Sequence, residues 1–224
     1  MRAFFFCLPA AALCLMTACV GGPQPPEWQL EAKSAMDRAV AAYLEGDSRV
    51  EQAEISRARA ALARTGRADL LANVELLRCA TRVASLVFEP CEAFKSLRPE
   101  ATAGQRAYAD YLRGQLQPQD AALLPEAQRG VATDHPTAAL GQKDPLPQLV
   151  AAGVLLQAGK ATASVHEAAV NTASAQGWRR PLLAWLGLQL RQAEQASQAD
   201  EVARLQRKIA IVEGPRAARA KDLP

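Results

Sequence analysis

The chain has 224 residues, 50% of them apolar but only 5% aromatic, and a formal net charge of +3, which is room for one domain or two small ones. Alanine alone supplies 48 residues, so the best helix former carries much of the apolar total and strand formers are thin, which argues against an all-β sandwich or barrel. Charged residues make up 22% and nearly balance, which excludes a disordered acidic tail and a strongly basic nucleic-acid binder.

Met1-Arg2 gives a short positive start, and an apolar run follows from Ala3 to Leu15 with Pro9 as its one interruption. The run is shorter than the ~20 residues a helix needs to span a bilayer. It has the length of the apolar core of an export signal. It ends in Leu15-Met16-Thr17-Ala18-Cys19, which resembles the lipobox of bacterial lipoproteins. Ala18 fits the small residue before the cysteine, and Met16 stands where leucine is usual. Cys7 and Cys14 follow Phe6 and Leu13, neither of them small, so Cys19 is the expected lipidation site. The resemblance implies removal of residues 1–18, a diacylglyceryl thioether on Cys19 and an acylated new amino group. Each buried methylene adds ~0.8 kcal/mol, so three acyl chains hold where one holds only marginally. Val20, rather than aspartate, follows the cysteine. For a diderm source this implies the periplasmic face of the outer membrane, with inner-membrane retention or secretion as alternatives. Residues 19–27 contain Gly21-Gly22-Pro23 and Pro25-Pro26 and read as a lipidated tether.

Processing would leave Cys79 and Cys91, an even pair in an oxidising compartment. A disulfide is expected, with two buried free thiols as the alternative. A redox pair is disfavoured because there is no Cys-x-x-Cys spacing.

Residues 28–213 read as one helical domain. Ala32, Met36, Ala39, Val40, Tyr43 and Leu44 recur at three and four residues, and Gly46-Asp47-Ser48 breaks their helix. A second helix is predicted over 50–64, and a third, the most apolar, over 70–87. A short one covers 92–97, and another runs to Gly114. Five prolines punctuate 115–147, where short helices such as 121–131 are expected. Helices follow over 146–158 and 162–175. One opens at Pro181, and a last one covers 200–212. Residues 214–224 form a basic, frayed tail. Tyr43-Leu44-Glu45-Gly46, Tyr111-Leu112-Arg113-Gly114 and Leu156-Gln157-Ala158-Gly159 close helices in the same way. Helix, glycine turn and alanine-rich helix resemble a degenerate tetratricopeptide hairpin. The expected fold is all-α, an array or irregular bundle of antiparallel helix hairpins.

Chemistry is sparsely marked. His135 lies in a turn and His166 mid-helix, with no histidine pair at i, i+4 for zinc. No nucleophile elbow, phosphate loop or dinucleotide fingerprint is present, so no cofactor and no metal are expected. Trp178, Arg179 and Arg180 form the most distinctive local sequence. They read either as a turn between Gly177 and Pro181 or as a binding site for an anionic partner. Arg78-Cys79-Ala80 and Gly177-Trp178-Arg179-Arg180-Pro181 also resemble a pattern in a group of proteobacterial lipoproteins, and that resemblance implies no activity. The expected function is a membrane-anchored scaffold or adaptor for an envelope protein partner, without nucleic acid. The alternatives are a cell-wall glycan hydrolase using a carboxylate pair and a small-molecule binder.

Overall fold

The computed structural model describes residues 24–133 and 136–214. Among them every regular element is helical. The α-helices are α1 (Glu27–Glu45), α2 (Ser48–Ala63), α3 (Ala68–Ala84), α4 (Glu92–Lys95), α5 (Ala103–Leu112), α6 (Glu126–Ala132), α7 (Pro145–Gln157), α8 (Ala163–Ala175), α9 (Arg179–Gln195) and α10 (Ala199–Glu213). Short 3-10 turns occupy Arg98–Glu100, Pro118–Leu123 and Pro136–Ala139. The all-α array is thus the observed fold.

Local chemistry sets the helix ends. Asp47 starts α2 by accepting from the Arg49 and Val50 N–H groups at 3.1 and 3.0 Å, which satisfies donors with no partner inside the helix. Thr102 and Gln105 form a reciprocal capping box at α5. Gly46 at φ 101° ends α1, and the Asp47 N–H reaches back to Ala42 O at 2.7 Å. A side chain would be strained in that left-handed position.

Three boundaries differ from the sequence reading. The third helix stops at Ala84, because Leu86 takes a left-handed φ of 59° and Val87 N–H bonds back to Arg82 O. The helix expected over 121–131 is two pieces, since Pro125 cannot continue the 3-10 turn before it and instead opens α6. Helix α9 begins at Arg179, with Pro181 inside its first turn, where its missing N–H costs nothing.

The helices pack around two apolar clusters. Ala32, Ala35 and Ala39 of α1 meet Ile55, Ala58, Ala61 and Leu62 of α2 and Val74 of α3. Alanines on both sides of this hairpin let the helices lie close. The larger cluster joins α3, α5 and α7–α10 and includes Leu149, Trp185, Leu186 and Leu205. Helix α3 serves both clusters. It is crossed by α7 at Gly153, where an added Cβ would run into the Val83 carbonyl and stand 2.9 Å from Val83 Cγ1. Trp185 of α9 is fully buried and donates from Nε1 to Ala84 O at 3.2 Å. Helix α9 also returns to α1, so the last hairpin closes on the first.

Candidate functional site

An open cleft of about 640 Å³ lies where α3 and α5 meet the mid-part of α1 and the start of α6. Met36, Leu76, Leu77 and Leu124 give it an apolar floor, and Leu123, 44% exposed, forms one lip. The charged residue of the lining is Arg129, held by an Nε bond to Leu124 O at 2.8 Å. Its walls are fixed by polar contacts. Gln105 Nε2 donates to Asp69 O and to Asn73 Oδ1, both at 2.7 Å, and ties α5 to α3. Tyr108 stacks on Tyr111 with centroids 6.2 Å apart. The Tyr111 hydroxyl donates to Gln128 Oε1 at 2.6 Å, and Gln128 Nε2 donates to Pro147 O at 3.1 Å. Burial pushes both phenols well above their ordinary range, so each stays a neutral hydrogen-bonding group rather than a base.

Carboxylates lie elsewhere. Glu51, Glu54 and Glu75 are buried, and each meets arginines. Arg59 grips Glu75 through Nε and Nη2 at 2.6 and 2.7 Å, and this pairing holds the guanidinium above its ordinary pKa. Arg38 and Arg57 pair with Glu54 at 2.9 and 2.7 Å. Arg82 and Arg78 reach Glu51 at 2.6 and 3.3 Å. A buried carboxylate needs such partners to stay charged. These groups therefore join α1, α2 and α3 and do not face one another across the cleft as a hydrolase pair would. The sequence reading missed them. Their signal was present, because Glu51, Glu54 and Ala58 fall at helical spacing on a buried stripe.

The expected disulfide is present between Cys79 and Cys91, with a Cα–Cα distance of 5.9 Å. It lines a smaller cavity of about 290 Å³ together with Arg78, Arg82, Glu89 and Glu92. The bridge ties α3 to the start of α4 and fixes the turn between them.

Trp178 is the last residue before α9 and Arg179 and Arg180 are its first two, after Gly177, which is left-handed at φ 67°. Arg179 Nη2 donates to Glu213 O at 2.9 Å. Arg180 donates from Nε to Tyr43 O at 2.7 Å and from Nη2 to Ser48 Oγ at 2.8 Å. Its guanidinium and that of Arg82 lie over the Tyr43 ring, 4.3 and 4.1 Å from the centroid. The two arginines that the sequence offered to an anionic partner thus bind the chain itself, Arg179 within the last hairpin and Arg180 from the last hairpin to the first. Tyr43 is raised in pKa, since burial outweighs its two cationic neighbours.

His166 is buried on α8 with its ring 5.8 Å from that of Trp185, and its Nε2 makes no hydrogen bond. Burial lowers its pKa, with a bond to Gln192 opposing. Among the described residues no group of histidine, cysteine and carboxylate side chains could hold a metal ion, and no helix is long and apolar enough to cross a membrane. Cys19, His135 and the tail residues 215–224 lie outside the described residues.

No protein-family model matches this chain, and neither a curated protein nor a solved structure does so.

Proposed function

We propose that this chain is a lipoprotein, anchored through Cys19 to the periplasmic face of the outer membrane, that holds an apolar segment of an envelope protein partner in the α3–α5 cleft. The single observation carrying the binding half is that cleft. An apolar floor open to solvent, with one cation and backbone-fixing amides at its edge, suits the nonpolar face of a helix or extended segment. Its walls are tied down by the capping box, the Gln105 bonds and the Tyr111–Gln128 bond, so little ordering is required on binding. Near the cleft Lys33 pairs with Asp37 and Arg98 with Asp110, while Arg129 is held by the Leu124 carbonyl, which leaves shape and apolar area as the main basis of recognition. The anchoring half rests on the lipobox resemblance of residues 15–19.

A photocrosslinking residue in place of Leu123, in cells producing the full chain, tests the binding half. The expected result is a discrete protein adduct that is absent when the same residue replaces Ser56 on the exposed face of α2. Leu123→Asp should abolish capture of that adduct's protein without changing the melting temperature. Equal crosslinking from both positions, or capture unaffected by Leu123→Asp, would overturn it.

A further inference from the structure

We infer that one end of the molecule, made by the start of α1, the α2–α3 turn and the start of α3, rests on the phospholipid surface. The inference builds on the proposed acylation of Cys19 and goes beyond it by assigning the lipid-contacting face.

Val20–Pro26 are the seven residues between Cys19 and the first turn of α1. Fully extended at about 3.5 Å per residue, the eight steps from Cys19 to Glu27 span at most about 28 Å. Nineteen residues of α1 at 1.5 Å each cover about the same length. A lipid on Cys19 therefore keeps the start of α1 within about 28 Å of the headgroups, and the Tyr43 end reaches them only if the tether is fully drawn out or the helix lies flat.

The side chains at this end suit such a contact. Leu30 is 50% exposed. Trp28, Leu70 and Leu71 pack against the alanine cluster and are half-buried themselves. Tryptophan is enriched at the membrane–water interface, where an apolar ring with one polar edge is best solvated. Charge adds little. Arg64 pairs with Glu31 and Arg67 with Asp69. The contact is consequently apolar and interfacial, indifferent to anionic lipid. In this pose the disulfide and the α9 start face away from the membrane, and the cleft at Met36 opens a short way above it. A partner segment is then gripped close to the bilayer.

The three tryptophans report the pose separately. Trp185 is fully buried. Trp178 sits at the start of α9, beside the Tyr43 end of α1. The acylated full chain is placed in phosphatidylethanolamine and phosphatidylcholine vesicles whose acyl chains carry bromine near the headgroup. The expected result is a loss of emission up to the share of one tryptophan in three. That loss should vanish in Trp28→Phe, diminish in Leu30→Asp, and stay the same when phosphatidylglycerol is added. Mass spectrometry of the same sample reads the acylation of Cys19. Acylated protein with no quenching, with equal quenching in Trp28→Phe, or with quenching only in anionic vesicles overturns the contact and leaves the anchor standing. A mass without acyl groups removes the anchor, and with it this inference.

Discussion

The hairpin α1–α2 and the group α7–α10 solve the same packing problem with different materials. The first is thin in apolar volume, with alanines at most of its buried positions, and it adds two buried glutamates, with a third, Glu75, on the adjoining α3, all gripped by arginines. The second packs by bulk and close approach, with Trp185 and Leu186 buried on α9 and Gly153 admitting the Val83 backbone. Small residues bury little area each, at ~25 cal/mol per Å², so an alanine interface is weakly specified by volume. Directional ion pairs can then fix which faces meet and in what register. Replacing such a pair by well-packed apolar residues is often neutral or stabilising, whereas stranding one partner is costly.

Substitutions sharpen this contrast. The largest effect belongs to the close crossing. Gly153→Leu should cost ~3 kcal/mol or more, the upper range for overpacking a core, read as a lower denaturant midpoint. A change below 0.5 kcal/mol, on the order of a surface substitution, would mean the crossing is not close. Loss of the disulfide comes next. Cys79→Ser should lower stability by about 3 kcal/mol under oxidising conditions, as the chain-entropy account gives for a loop of this size, with no difference from wild type once both are reduced. Free thiols titrating in the folded wild type would contradict it.

Arg59→Ala should cost about 2 kcal/mol, less than the 3–5 of a fully buried pair, because Arg59 is partly exposed and Arg78 stays near Glu75. The double variant Arg59→Met/Glu75→Met should recover most of that loss. If it is no more stable than Arg59→Ala alone, the glutamate is not stranded by the single change.

The smallest effect is the acid response of His166 on the apolar side. Its imidazole titrates lower when folded than when unfolded, because burial disfavours the cation. The neutral histidine therefore leaves stability intact above the unfolded pKa of ~6.5. Stability is lost as pH falls from there through the lower, folded value, by at most about 1.4 kcal/mol per pH unit for one proton. His166→Gln should flatten this part of the melting-temperature profile between pH 7 and 5. An unchanged profile in the variant would assign the acid response to another group.

Much of the array was legible without coordinates. The stripe through Ala32, Met36 and Ala39, the stops at Gly46 and Gly159, and the pairing of Cys79 with Cys91 follow from helical period, left-handed glycine and cysteine count, all local or arithmetic properties. The candidate cleft was not legible, because Met36, Leu77, Gln105 and Leu123 come from four separate segments. Nor was the fate of Arg180, whose partner Tyr43 lies 137 positions away in the chain.

The amino-acid order alone determined that this protein is helical, where most helices begin and end, and which two sulfurs join. Only the tertiary arrangement decided that Glu51, Glu54 and Glu75 are interior groups, that Arg179 and Arg180 turn inward, and that Gly153 is a contact point. Periodicity states which side of a helix is covered, while the covering atoms come from distant segments and obey no short-range rule. Burial and charge pairing are thus settled when helices meet.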